Sequence, residues 1–207
     1  MHSLIVGMTE SGKSCFGKIL CRALHEQGKP VAVLDPLLDP DWTADIITDD
    51  IEDYSRYLEQ HRSVYGFVDE CGTWFNEGND TTNAWLATRS RHYGHSMVFI
   101  AQRAIQIPKT MRDQCSRLYL FTSSKSDGKI HSEEWNKEAL EGCNTLEQFA
   151  FFKVDRYHTC DLLRVEDYER VCVGRPSMDR APKHSNRNIR NGNKRGSMDR
   201  QPRKANS

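Results

Sequence analysis

Residues Gly7-Met8-Thr9-Glu10-Ser11-Gly12-Lys13-Ser14 fit the pattern G-x-x-x-x-G-K-[ST] without a mismatch. Three apolar residues, Leu4-Ile5-Val6, precede them, and a helix-like run starts at Lys13. That order constrains the whole chain, because a glycine-rich turn between strand and helix commits it to an α/β architecture. The glycines let backbone N–H groups converge on the phosphates of a nucleoside triphosphate. Lys13 is placed to reach the β- and γ-phosphates, and the Ser14 hydroxyl to ligate Mg²⁺. The expected nucleotide contacts are therefore Gly7, Met8, Thr9, Glu10, Ser11, Gly12, Lys13, Ser14 and the next residue, Cys15.

Downstream, apolar runs alternate with amphipathic stretches, as expected for parallel strands joined by helices. Strands are expected at Leu4–Val6, Val31–Leu34, Val64–Val68, Met97–Ala101 and Leu118–Phe121. Helices are expected from Lys13 to Gln27, Asp53 to His61, Thr82 to His92, Lys109 to Cys115 and Ser132 to Glu141. Residues 37–50 and 123–129 read as loops. The runs Phe149–Val154 and Cys160–Val165 read as an antiparallel pair on the edge of the core sheet.

Ligands of open α/β sheets lie at the carboxyl ends of strands. Asp69 and Glu70 follow the apolar run Phe67-Val68, so Asp69 is positioned to hold Mg²⁺ through water and Glu70 to polarise an attacking water. Gln102 follows Ala101; if its strand lies between the first and third, it reaches the γ-phosphate as a sensor. Arg89 and Arg91, in Thr88-Arg89-Ser90-Arg91-His92, are the candidates for an arginine finger from a neighbouring subunit, a device worth about 10³–10⁵ in rate. Either could instead be a helix-end arginine complementing the dipole. Activation of water fits this set better than transfer to a small-molecule acceptor.

These residues together resemble the FtsK–HerA superfamily of DNA-pumping ATPases: the GMTESGKS loop, Val33-Leu34-Asp35-Pro36, Phe67-Val68-Asp69-Glu70, and the block from Arg89 through Val98-Phe99-Ile100-Ala101-Gln102-Arg103. In texture and length the chain looks most like the genome-packaging ATPases of tailless, internal-membrane, double-jelly-roll viruses and phages. The resemblance covers about residues 1–125. It implies an α/β P-loop NTPase fold of the ASCE type, with a mainly parallel sheet flanked by helices. It also implies ATP hydrolysis with Mg²⁺, a homo-oligomeric ring (usually a hexamer), double-stranded DNA as cargo and a capsid vertex as docking partner. The expected location is the cytoplasm of an infected host or the virion vertex. Related readings are an ATPase for phage assembly, secretion or conjugative DNA transfer, and a slow nucleotide-dependent switch.

Charge divides the chain in two. The 29 basic and 29 acidic residues cancel overall, but the last 34 residues hold ten of the basic and only two of the acidic ones. An acidic ATPase domain, residues 1–173, is thus expected to carry a basic tail, residues 174–207, too poor in large apolar residues to fold alone. The tail repeats Ser177-Met178-Asp179-Arg180 as Ser197-Met198-Asp199-Arg200; it could grip DNA, an acidic capsid surface or anionic lipid. Lys125 and Lys129, expected in a loop, are the other DNA candidates. No run approaches the roughly 18 apolar residues of a membrane span. With the first strand expected to start almost at Met1, no leader is expected, and seven scattered cysteines suit a reducing compartment.

Overall fold

The computed structural model describes residues 1–75, 83–156 and 159–172; for the last four of these the backbone alone is described. All belong to one compact unit, Met1–Arg175. The basic tail lies outside the described residues.

Among the described residues the strands β1 (His2–Val6), β2 (Val31–Leu34), β3 (Ile46–Thr48), β4 (Tyr65–Val68), β5 (Ser96–Ala101), β6 (Cys115–Phe121), β7 (Ala150–Asp155) and β8 (Cys160–Arg164) form one sheet. Its order is β3-β2-β4-β5-β1-β6-β7-β8. The pairs from β3 through β6 are parallel, and β7 and β8 close the edge antiparallel. Since β5 pairs with both β4 and β1, Gln102 emerges between the ends of the first strand and the Asp69-Glu70 strand.

The helices are α1 (Lys13–Glu26), α2 (Ile51–Gln60), α3 (Cys71–Trp74), α4 (Trp85–Thr88), α5 (Lys109–Arg112), α6 (Lys125–Trp135) and α7 (Val165–Cys172). The period of two along each strand sorts side chains into two cores. Leu4, Val6, Leu34, Val68, Phe99 and Leu120 join one, with Leu58 of α2 and Trp135 of α6. Ile5, Val33, Phe67, Ile100 and Phe121 join the other, under α1. There Phe16 of α1 meets Tyr119, Phe121, Phe151 and Tyr168, with ring centroids 4.8–5.8 Å apart. Each buried ring of this kind contributes about 1.5–3 kcal/mol, so this cluster fixes α1, and with it the phosphate loop, to the sheet.

Several boundaries differ from expectation. The acidic stretch 37–50 contains β3, three half-buried residues too few to show a period; pairing with β2 makes them a strand. The segment 123–129 is not a loop. Ser124 accepts a hydrogen bond from the Asp127 amide and caps α6, which therefore starts at Lys125. That helix ends at Trp135, where Asn136 turns left-handed (φ 52°), and a 3₁₀ stretch, Glu138–Thr145, replaces the expected continuation. Of the helix expected over 82–92, residue 82 lies outside the described residues and the rest holds α4 followed by a 3₁₀ turn, Ser90–Tyr93, stopped by Gly94 at φ 80°. The helix expected to reach Cys115 stops at Arg112, and Cys115 opens β6. Helix α7 had no counterpart in the sequence reading.

Candidate nucleotide site

The phosphate loop is strung between two strand ends. Gly7 donates its N–H to the Ala101 carbonyl (3.2 Å) and Met8 to that of Thr122 (2.8 Å). Two glycines are obligatory on steric grounds. A Cβ on Gly7 would stand 2.6 Å from the Phe121 Cβ, and Gly12 sits at φ 104°, where a Cβ would also strike the Phe149 ring at 2.5 Å. Met8, Thr9 and Glu10 are exposed, with Glu10 at φ 64°; Ser11 and Lys13 are buried, Ser14 half-buried and Cys15 exposed.

A clasp not anticipated from sequence holds this loop. The Phe149 amide donates to the Ser11 carbonyl (3.0 Å) and Gln148 Nε2 to the Glu10 carbonyl (2.9 Å). Phe149 adopts φ 64°, a strained value for an aromatic residue, which aims its amide at the loop. These residues lie so far along the chain from the loop that no local pattern announces them.

At the end of β4, Asp69 is 7% exposed and its Oδ1 accepts the Glu70 amide (2.8 Å). The Asp69 carbonyl accepts from Trp74 Nε1 at 2.9 Å, so α3 braces the turn. Glu70 is left-handed (φ 47°, ψ 54°), which redirects the chain out of the strand. Its Oε2 accepts from Gln102 Nε2 at 3.3 Å. Gln106, missed in sequence, fixes Gln102 by accepting the amides of Gln102 and Arg103, each at 3.0 Å. Asp35, at the end of β2, spends its carboxylate on the Leu37 and Asp39 amides and Trp42 Nε1 (2.9, 2.9 and 3.0 Å) and shapes its own turn.

The donor set fits a nucleotide with a divalent cation. Ser11 Oγ is buried without a partner among the described residues, inside a loop whose glycines leave no room for side chains. Burial pushes the Asp69 carboxyl up to about 6, with Glu70 and Asp35 adding to the effect and the Glu70 amide and Lys13 opposing it. A cation beside it would reverse that balance. Without one, a carboxyl that holds its proton more tightly folded than unfolded stabilises the protein in acid. That contribution, about 3 kcal/mol, is fully present below about pH 4 and lost as pH rises through about 6. Asp69→Asn should therefore gain thermal stability over wild type at pH 8 relative to pH 4.5 when no nucleotide is present, while losing stabilisation by Mg²⁺-nucleotide. Melting curves at the two pH values test this, and identical pH dependence in both proteins would overturn it.

Arg89 and Arg91 lie elsewhere. Arg91 donates to the Gln114 carbonyl (3.2 Å) and side chain, just before β6, and Ser90 Oγ sits 3.5 Å from His2 Nε2 at the start of β1. The phosphate loop follows the other end of β1, about 15 Å away by strand rise. Neither arginine reaches the loop of its own chain. Arg89 is exposed and, among the described residues, has no side-chain hydrogen bond or ion pair. Lys125 and Lys129 stand on α6 rather than on a loop, one turn apart on its exposed face.

The arrangement matches known proteins at the level of fold. The genome-packaging NTPase B204 of Sulfolobus turreted icosahedral virus 2, in complex with AMPPCP, superimposes with a TM-score of 0.66 at 17% identity, over 78% of this chain and 96% of that one. Its fold is that of the P-loop ATPases. VirB4 of Thermoanaerobacter pseudethanolicus superimposes with a TM-score of 0.61 at 13% identity, over 81% and 90% of the two chains. The pCW3 conjugation coupling protein TcpA, with ATPγS, gives 0.57 at 14% identity over 79% of this chain and 59% of that one. At 13–17% identity these likenesses show the fold, a mainly parallel α/β sheet of the kind the sequence implies. The family model described as Zonular occludens toxin (Zot) matches residues 43–128, a stretch holding Asp69, Glu70, Arg89, Arg91 and Gln102 but not the phosphate loop. No curated protein sequence matches the chain. No helix among the described residues is long and apolar enough to cross a membrane.

Proposed function

We propose that this chain is a Mg²⁺-dependent ATPase motor that drives double-stranded DNA, packaging a viral genome into a preformed capsid. The observation that carries the reading is the meeting of the phosphate loop, Asp69, Glu70 and Gln102 at one end of the sheet, with Gln102 bonded to Glu70. Likeness to the packaging NTPase and the conjugation protein supports a motor of this kind.

In this reading the loop amides of residues 7–15 and Lys13 hold the phosphates, and Ser14 with Asp69 hold the cation. Mg²⁺ neutralises charge on the β- and γ-phosphates when bound. Glu70 takes the proton of the attacking water, Gln102 orients both, and an arginine of the adjacent subunit meets the γ-phosphate. Arg91 is engaged by Gln114, whereas Arg89 is exposed and has no side-chain partner among the described residues, so Arg89 is assigned as the finger. A finger that acts only on a neighbour requires a homo-oligomer, and the resemblance implies a ring, usually a hexamer. Residues 1–173 are the motor domain; the basic segment 174–207 is a second contact for DNA or an acidic capsid vertex. The site of action is the host cytoplasm or the virion vertex.

Steady-state ATP hydrolysis with and without duplex DNA tests the proposal. Stimulation by duplex DNA is expected, and hydrolysis indifferent to it would remove DNA as the cargo. Likeness to the conjugation coupling protein TcpA favours conjugative transfer as the second reading. Stronger stimulation by single-stranded than duplex DNA would select it.

A further inference from the structure

The geometry points to α6 as the element through which bound DNA acts on the water-activating glutamate, with Asp127 as the positioning residue between them. This inference rests on the motor reading and adds a route for its regulation. Lys125 and Lys129 face solvent from the first turns of α6. Asp127 lies between them in sequence but points inward and is 2% exposed. Its Oδ1 accepts the Ala104 amide at 3.1 Å, and its Oδ2 lies 3.5 Å from Arg103 Nε.

Arg103 and Ala104 directly follow Gln102. The Gln106 side chain gathers the amides of Gln102 and Arg103, and Gln102 reaches Glu70. A second tie keeps the same parts together: Arg112 pairs with Glu134 of α6 at 2.7 Å and donates to the Ala104 carbonyl at 2.9 Å. A displacement of α6 by a phosphate backbone on its lysines therefore cannot leave residues 103–104 in place without stripping a buried carboxylate of its partners outside the helix, leaving it only Ser124 Oγ of its own cap. The adjoining residue, Gln102, moves with them and changes its hold on Glu70. Each link is a direct contact, and among the described residues Asp127 is the buried charge of α6 itself whose side chain reaches the Gln102 turn.

A capping role for Asp127 alone would lower stability, basal turnover and stimulated turnover together. The relay moves only the response to DNA, and the variant Asp127→Asn separates the two. Asn keeps the acceptor for the Ala104 amide and the shape of the side chain but removes the charge facing Arg103. ATP turnover is measured with and without a linear duplex for wild type, Asp127→Asn and Asp127→Glu, alongside duplex affinity. The expected result is near-wild-type basal turnover and duplex affinity in Asp127→Asn, stimulation reduced about fivefold or more, and partial recovery in Asp127→Glu. If Asp127→Asn does not fold, Arg103→Gln cuts the same contact from its exposed side. Full stimulation in the variant, or a parallel fall of basal and stimulated rates, overturns the relay and leaves the motor standing. A wild type that hydrolyses ATP without any response to duplex overturns the motor reading and the relay with it.

Discussion

Glu70→Gln is expected to slow ATP hydrolysis by about 10²–10⁴-fold, the usual contribution of a positioned general base, with nucleotide binding retained. The substitution preserves size and leaves an oxygen to accept from Gln102, so the turn after β4 keeps its contacts. What it removes is the basic oxygen that takes a proton from water. Single-turnover hydrolysis beside equilibrium binding of a fluorescent ATP analogue separates the two effects. A rate within a few-fold of wild type would show that another group activates water, and loss of binding would show that Glu70 shapes the pocket instead.

The second large effect is expected at Arg89. Arg89→Ala should cost about 10³–10⁵ in turnover of the assembled protein, whereas Arg91→Ala, which loses only its contacts to Gln114, should cost far less. Position makes this sharper than a single-variant measurement. The arginines sit at the strand-start end of their own sheet, so in the proposed mechanism the finger and the glutamate that share one reaction come from different chains. Mixing Arg89→Ala with Glu70→Gln should therefore restore activity to two nearly inactive proteins. At interfaces where the first variant supplies Glu70 and the second supplies Arg89, the site is complete. Mixtures no more active than their components would remove the neighbour from the mechanism.

The parts of this molecule legible in its sequence are those whose signal is local. The phosphate loop is eight contiguous residues. Asp69, Glu70 and Gln102 could be placed because each ends an apolar strand, and the strand at Tyr65–Val68 and its neighbour at Ser96–Ala101 fell close to expectation. The roles assigned to those residues await the experiments above; what the sheet order supplies is their proximity. The illegible parts depend on partners far along the chain. Three residues at Ile46–Thr48 become a strand only because β2 offers them an edge. Gln106 looks like any surface glutamine until its carbonyl oxygen is found under two amides. One signal was available and passed over: Ser124-x-x-Asp127 is a helix-start pattern, and reading it would have turned the Lys125–Lys129 loop into the helix that the structure shows.

The clasp on the phosphate loop bears on how the molecule is made. Gln148 meets Glu10 across 138 positions of chain, and the ring of Phe149 packs on Gly12. A ribosome that has passed Gln102 has delivered the phosphate loop, Asp69 and Glu70, yet Gln148 and Phe149, which hold the loop in shape, are still unwritten. Contacts of such long separation form late, after the ordering cost of the intervening chain has been met. Affinity for nucleotide is accordingly expected only once residues 148–149 have been made and docked, and fragments that stop after β6 carry every recognisable motif without the clasp.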